Sequence, residues 1–154
     1  MLRTFIPLAL LTLLLAPASP AAAQCNVAPP ATCTIIGPGQ APPTASAPST
    51  LTWPVGGQLC LNIIPSEPGF VVIVYSVSGA TPTPLAPPVL CAPGTLYPVL
   101  EFAGIAPAIP PFPGSFCFAI PERLRGSGID VWLQGGTIGP ALCGRATDGY
   151  RVRL

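Results

Sequence analysis

Histidine and lysine are both missing from the 154 residues of this chain. Without histidine the protein cannot form a Ser-His-Asp triad or a Cys-His pair, and without lysine it has no Ser-Lys dyad, Schiff base or phosphate-loop lysine. The cysteines form no C-x-x-C spacing, which disfavours zinc sites and thioredoxin-like redox motifs. These absences exclude the commonest catalytic arrangements, and the sequence predicts no cofactor and no metal.

Charge is also scarce, since 7% of the residues are charged and 50% are hydrophobic. This composition is the opposite of the one typical of disordered chains, so the 24 prolines and 16 glycines mostly punctuate a folded chain. Beyond residues 1–23, five arginines balance five carboxylates. A neutral chain offers no electrostatic attraction to nucleic acid or to an anionic membrane.

The N-terminus has the order of features of a secretory signal peptide. Arg3 precedes the apolar run 5–15, and an A-x-A cleavage site at 21–23 would leave Gln24 first. The alternative of a membrane anchor is disfavoured, because a spanning helix needs roughly 20 apolar residues. A lipoprotein acylated at Cys25 is a further alternative, weakened by the large Gln24 before it. We expect residues 1–23 to be removed and the mature chain to be in the periplasm, at the cell surface or extracellular.

Six cysteines lie in the predicted mature chain, and an even number in an exported protein favours three disulfides. Six cysteines permit 15 connectivities. One hypothesis pairs neighbours in sequence first, then cysteines on adjacent strands, and leaves one remaining pair. Its bridges are Cys25–Cys33, Cys60–Cys117 and Cys91–Cys143.

Residues 24–49 are predicted to form a proline-rich N-terminal arm with a short edge strand near 32–36, because dense prolines interrupt both ladders and helices. Residues 50–154 are predicted to form the folded domain. There, apolar and polar residues alternate over 58–64 and 115–120, and the run 70–77 is rich in β-branched residues. Further strands are predicted at 96–102 and 129–134, the latter ended by Gly135-Gly136.

The end of the chain is predicted to be a hairpin around Asp148-Gly149, with Tyr150, Val152 and Leu154 facing the core. Residues 79–98 and 107–114 look like long connections, and 122–125 forms one helical turn at most. The fold class is therefore all-β: a single antiparallel β-sandwich of seven or eight strands, stapled by disulfides. A small β-barrel is the alternative.

Four short motifs lie between the middle of the chain and its end. They are Gly56-Gly57, Pro68-Gly69, the strand at 131–134 and Thr147-Asp148-Gly149-Tyr150. On these motifs the run 57–154 resembles uncharacterised secreted bacterial β-sandwich domains. The resemblance implies the fold and export, and it implies no activity.

Carboxylates are what remains for catalysis. A glycosidase needs two of them flanking one bond, and Glu67 with Glu101 is the pair nearest to apolar strand ends. Glu101 with Gln134 is a second candidate pair for activating water. Calcium at Asp130 or Asp148 lacks the D-x-D-x-D loop that would support it. We expect these carboxylates to cap turns or to face water.

Aromatic side chains are better candidates for binding, because flat rings stack on sugars and anchor interfaces. Trp132 and Gln134 share one face of a predicted strand, and Trp53 and Tyr97 lie near prolines at strand ends. These four residues are the predicted ligand-binding set. The terminal arginines Arg145, Arg151 and Arg153 are predicted to cluster and to guard an edge strand.

Two functions are therefore predicted, both without catalysis. The first is a structural or adhesive module of the cell envelope or secretome. The second is a lectin-like carbohydrate-binding domain, and a carboxylate-dependent hydrolase is a distant third. The expected partner is a glycan or another surface protein, with no nucleic acid and no transmembrane segment in the mature chain.

Overall fold

The computed structural model describes residues 23–41, 44–53, 57–108 and 114–154. The predicted signal peptide lies outside the described residues, apart from Ala23. The helical structure within these ranges is one short 3-10 turn, Glu122–Leu124, as the sequence predicted. No helix in the described ranges is long and apolar enough to cross a membrane.

The described chain forms two facing sheets and a separate hairpin, which confirms the all-β class and the sandwich. The first sheet contains, in order, β1 (Gln24–Asn26), β3 (Ser49–Thr52), β4 (Gln58–Ile63) and β9 (Gly114–Ala119). The second sheet contains, in order, β2 (Thr32–Gly37), β11 (Gly144–Arg153), β10 (Asp130–Ile138), β5 (Gly69–Ser76) and β8 (Phe102–Ala108). The hairpin consists of β6 (Ala80–Leu85) and β7 (Gly94–Pro98).

All strand pairings are antiparallel except that of β1 with β3, and the described strands form no closed barrel. The two sheets hold nine described strands, more than the seven or eight predicted, and β1 and β8 are among those that the sequence did not indicate. The edge strand expected near 32–36 is confirmed as β2, which pairs with β11. The N-terminal arm thus supplies one edge strand to each sheet.

The core lies between the sheets and follows the period of two predicted from the sequence. Leu59, Leu61 and Ile63 of β4 are fully buried, and they face Val71 of β5 and Val152 of β11 in one cluster. Burying side chains of this size contributes roughly 1.5–3 kcal/mol each. This burial specifies which face of every strand points inward.

Tyr150 is the largest fully buried side chain. Its hydroxyl lies 2.6 Å from Ser49 Oγ and donates to Ser49 O at 3.2 Å, which links β11 to β3 across the core. Burial, opposed by the bond to Ser49, raises the pKa of Tyr150 to about 12. Between pH 10 and 12 the phenol of Tyr150 is therefore mostly neutral in the folded protein, whereas it is mostly ionised in the unfolded chain.

We expect the free energy of unfolding to fall as the pH rises from 10 to 12. In this window the unfolded chain releases the Tyr150 proton and the folded chain retains it, so unfolding is favoured by up to about 2 kcal/mol. Urea unfolding at several pH values measures the slope. Tyr150→Phe should show a shallower decline, because Tyr97, whose pKa is also raised, still contributes, and an equally steep decline in the variant would assign the slope to other groups.

The three cysteine pairs are those of the sequence hypothesis. Cys60 and Cys117 are direct partners on β4 and β9, and Cys25–Cys33 joins the edge strands β1 and β2 of the two sheets. The third bridge, Cys91–Cys143, ties the loop before β7 to the turn between β10 and β11. Each sheet is thus linked covalently to another part of the fold.

The predicted hairpin around Asp148-Gly149 is wrong. β11 runs without a break through both residues, and the turn lies earlier, where Leu142 N donates to Gly139 O at 3.0 Å. Gly149 is needed for packing, since a Cβ there would lie 2.6 Å from the Tyr97 ring. The inward positions predicted for Tyr150, Val152 and Leu154 are confirmed.

Gly135-Gly136 does not end a strand either, because β10 continues to Ile138. Gly135 faces the core, and a Cβ there would collide with Ile63 of the opposite sheet. The strand predicted at 96–102 is divided between β7 and β8, which are separated by residues 99–101. The loop predicted at 79–98 contains β6, whose prolines are tolerated in a two-stranded hairpin.

Candidate binding surfaces

Gln134 lies on the outer face of β10, but the β6–β7 hairpin covers it, and its exposed fraction is 1%. Its Nε2 donates to Thr95 O at 2.8 Å and Thr147 O at 2.9 Å, and its Oε1 accepts from Tyr97 N at 2.8 Å. Gln134 therefore shares the outer face with Trp132, as the sequence predicted, but it is buried under the hairpin and is not open to a ligand. Gln134 attaches the hairpin to the sheet, and both of its amide hydrogens are already donated to backbone.

Tyr97 belongs to the same attachment. Its ring packs against Gly37 and Gly149, and its hydroxyl donates to Pro38 O at 3.1 Å. Burial, and then the charge of Asp148, raises the pKa of Tyr97. Tyr97 and Gln134 together therefore attach the β6–β7 hairpin to the second sheet.

A pocket of about 200 Å³ lies between the hairpin and the second sheet. Val72 and Val74 of β5 line its sheet side, and Leu85 and Leu96 line its hairpin side. Gln134 lines it as well, with its polar atoms already bonded to backbone. The lining is mostly apolar and includes one charged residue, Arg145.

The outer surface of β5 and β8 continues from this pocket, and we call it the apolar face. It contains the register pairs Val72 with Ile105, Val74 with Ala103 and Phe70 with Pro107. Ile105 is 63% exposed and Phe70 is 48% exposed. No charged side chain belongs to this set, and among the described strands β8 pairs only with β5. The second sheet therefore ends in an open, uncharged edge beside an apolar surface.

A different surface lies on the outer face of β2, β11 and β10, and we call it the arginine patch. Two rows of register partners cross the strands there, one beginning at Thr34 and one at Thr32. The patch consists of Thr32, Thr34, Asp130, Trp132, Arg151 and Arg153. Four of these residues, two threonines and two arginines, surround a surface pocket of about 190 Å³.

The charges of the patch are partly compensated. Arg151 Nη2 donates to Asp130 Oδ2 at 2.5 Å, and the Arg151 guanidinium lies 6.0 Å from the centre of the Trp132 ring. The hydrogen bond from Arg151 holds the pKa of Asp130 below its usual value, and the same pair raises the pKa of Arg151. Two guanidinium groups and one carboxylate leave one net positive charge. Arg145 lies six residues earlier on β11, roughly 20 Å from Arg151, so the predicted cluster of three arginines is reduced to two.

Trp53 lies on the other sheet, just after β3. It borders an open groove of about 370 Å³ with Asn26, Val27, Ala28 and Thr52. The Arg125 guanidinium lies 5.4 Å from the centre of the Trp53 ring. Asn62 of β4 donates to Thr52 Oγ1 at 3.3 Å, which fixes the orientation of this groove wall. The four predicted ligand-binding residues are therefore spread over three places and do not form one site.

The carboxylates considered for catalysis do not form a pair. Glu101 Oε2 accepts from Val77 N at 2.8 Å and Ser78 N at 3.3 Å, and these bonds lower its pKa. Glu101 thus caps the end of β5, while Glu67 precedes its start, and the eight residues between span roughly 25 Å. Two carboxylates flanking one glycosidic bond are closer than about 10 Å.

Metal ligands are likewise not grouped. Within the described ranges, no three Asp, Glu or Cys side chains come together around a common point. Asp130, one of the two calcium candidates, is engaged by Arg151.

Sequence reasoning missed the apolar face because the second half of it, β8, was not recognised as a strand. It also missed Thr32 and Thr34, although the Thr-Cys-Thr alternation in β2 places both hydroxyls opposite the inward Cys33. The alternation of Arg151 and Arg153 with buried residues was the available signal for the rest of the patch.

Comparison with known proteins gives no match: no family model, no curated protein and no solved structure is similar to this chain at a significant level.

Proposed function

We propose that the protein is a structural or adhesive module of the secretome or cell envelope, without catalytic activity, that associates with a second copy of itself. The observation that carries this proposal is the apolar face beside the open edge of β8. Export follows from the predicted signal peptide and agrees with the three disulfides.

The edge of β8 differs from edges that are protected against pairing. Natural edge strands carry charges, prolines, inward-pointing lysines or bulges that block association, and the seven residues of β8 contain no charge and only one of these devices, Pro107. Pro107 removes one backbone donor near the end of the strand and leaves the rest able to pair. The strand therefore retains backbone groups available for an added strand.

A second copy is the partner that fits best. Two identical edges can pair antiparallel about a twofold axis, which is the commonest symmetry of protein dimers. The two apolar faces then become continuous, and no charge on either face opposes the contact. The zero net charge of residues 24–154 adds no long-range repulsion.

Ile105→Lys tests this proposal, because it places a charge at the centre of the apolar face. We expect the exported, oxidised protein to sediment as a dimer at micromolar concentration and the variant to sediment as a monomer. Ile64→Lys is the matched control, since Ile64 is 51% exposed beyond the end of β4. A monomeric parent protein, or a variant as dimeric as the parent, would contradict the proposal.

Carbohydrate binding is the second candidate function. It is favoured by the open groove at Trp53, whose walls carry the Asn26 amide and the Thr52 hydroxyl, and by Trp132 in the arginine patch. An array of glycans and cell-wall fragments, probed with the parent, Trp53→Ala and Trp132→Ala, tests it. Saturable binding lost in one variant identifies the site, and no binding by the folded parent would exclude this function.

A further inference from the structure

We infer that the arginine patch binds the oxyanion of an acidic saccharide, a sugar unit bearing a carboxylate or a sulfate. This inference rests on the carbohydrate-binding function proposed above and assigns it a ligand class and a site. Its basis is the convergence of two arginines and two threonines beside an aromatic ring on one sheet face.

The placement follows from strand geometry. Arg151 and Arg153 are two residues apart on β11, so their side chains leave the same face about 7 Å apart. Thr34 is the direct partner of Arg151, and Thr32 is the direct partner of Arg153. Cross-strand partners have Cβ atoms roughly 5 Å apart, so the four side chains form the corners of one small opening.

The donors at these corners suit an oxyanion. Guanidinium groups bind carboxylate and sulfate oxygens through two parallel hydrogen bonds, and a threonine hydroxyl supplies one further donor. Asp130 takes one nitrogen of Arg151 and holds that guanidinium in place. Arg153 is the cross-strand partner of Asp130 and its charge helps to lower the pKa of that carboxyl, but it makes no salt bridge to any residue the structure describes, so its guanidinium hydrogens remain available to a ligand.

Trp132 favours a saccharide over a free ion. It is the partner of Arg151 on the same outer face, and an aromatic ring beside a charged group provides apolar contact for a sugar ring. A nucleic acid is disfavoured, because its affinity comes from many phosphate contacts and the patch has only one net positive charge. The patch therefore matches one acidic unit of a glycan.

Isothermal titration of the oxidised protein with four probes tests the inference. The probes are an oligogalacturonate, a heparin tetrasaccharide, a neutral cellotetraose and inorganic sulfate. We expect one of the two acidic oligosaccharides to bind at least about tenfold more tightly than cellotetraose, with affinity falling as salt rises. Heparin carries both carboxylates and sulfates, so binding of the oligogalacturonate shows that a carboxylate is sufficient, and binding of heparin alone shows that a sulfate is required.

Arg153→Gln should weaken the acidic ligand about tenfold, and Thr34→Val should weaken it by a smaller factor. Arg123→Gln, which removes the same charge from the exposed 3-10 turn, should leave the affinity unchanged. Circular dichroism of each variant establishes that the fold is retained.

Three outcomes would overturn the inference. Equal binding of cellotetraose and the acidic probes, unaffected by Arg153→Gln, would reject the oxyanion and leave carbohydrate binding standing. If inorganic sulfate binds as tightly as the heparin tetrasaccharide, the sugar rings contribute nothing to the affinity, and the claim that the ligand is a saccharide is rejected. No binding of any probe, together with an empty glycan array, would reject both the inference and the carbohydrate-binding function.

Discussion

Replacing Gln134 with leucine is expected to detach the β6–β7 hairpin from the second sheet. The side-chain amide makes three hydrogen bonds to backbone, two of them to the hairpin residues Thr95 and Tyr97. Leucine has a similar size and no polar atoms, so these backbone groups lose their partners in a buried place. Each buried group without a partner costs about 1–3 kcal/mol, and opening to water relieves part of that cost. We expect a loss of roughly 2–4 kcal/mol in the free energy of unfolding.

Hydrogen exchange measures the detachment directly. The amide of Tyr97, which donates to Gln134 in the parent protein, should exchange far faster in Gln134→Leu, and the apolar pocket behind the hairpin should bind more of a hydrophobic dye. Gln58→Leu is the matched control, because Gln58 is exposed at the start of β4. If the Tyr97 amide is equally protected in the variant and the parent, the Cys91–Cys143 bridge and packing hold the hairpin without the amide.

Removing the Cys60–Cys117 bridge by a double substitution to alanine is expected to have a comparable effect. The bridge closes a loop of 57 residues, for which the loop-closure relation gives about 4 kcal/mol through the entropy of the unfolded chain. Cys117 is exposed on the outer face, and Cys60 is buried but lies outside the core cluster between the sheets, so the change removes little of the core. Urea unfolding under oxidising conditions measures the difference.

The Cys25–Cys33 bridge supplies an internal comparison. It closes only eight residues, and the same relation predicts about 1.7 kcal/mol less stabilisation than for the long loop. We therefore expect the Cys25→Ala/Cys33→Ala protein to be the more stable of the two variants. The opposite order would show that the short bridge acts through the folded state, where it connects the edges of the two sheets.

Much of the sandwich was predictable from local patterns. The alternation at Leu59, Leu61 and Ile63, and again at Tyr150, Val152 and Leu154, identifies both the strands and their inward faces. The period of two does not depend on which strands lie side by side, because successive side chains of any one strand point to opposite faces. The disulfide hypothesis is confirmed, although the sequence permits 15 connectivities and its one structural argument was that Cys60 and Cys117 lie on the polar faces of two recognised strands.

The candidate sites were less predictable, because they depend on which segments meet. Gln134 and Trp132 have the same pattern in the sequence, yet a hairpin 36 or more residues away covers one and leaves the other in an open patch. The apolar face requires β5 beside β8, and the arginine patch requires β2 beside β11. No local pattern in the sequence indicates that β5 lies beside β8 or that β2 lies beside β11.

The sequence by itself determined which chemically reactive residue types this protein lacks, the all-β class and the inward face of its main strands. Only the tertiary structure decided that Asp148-Gly149 lies inside a strand, that Gln134 is an internal fastening and that Arg151 and Arg153 join Thr32 and Thr34. The physical reason is that backbone periodicity and residue chemistry are properties of short segments. Burial of an outer face, the position of a turn and the meeting of two strands are settled by packing between segments that are far apart in the chain.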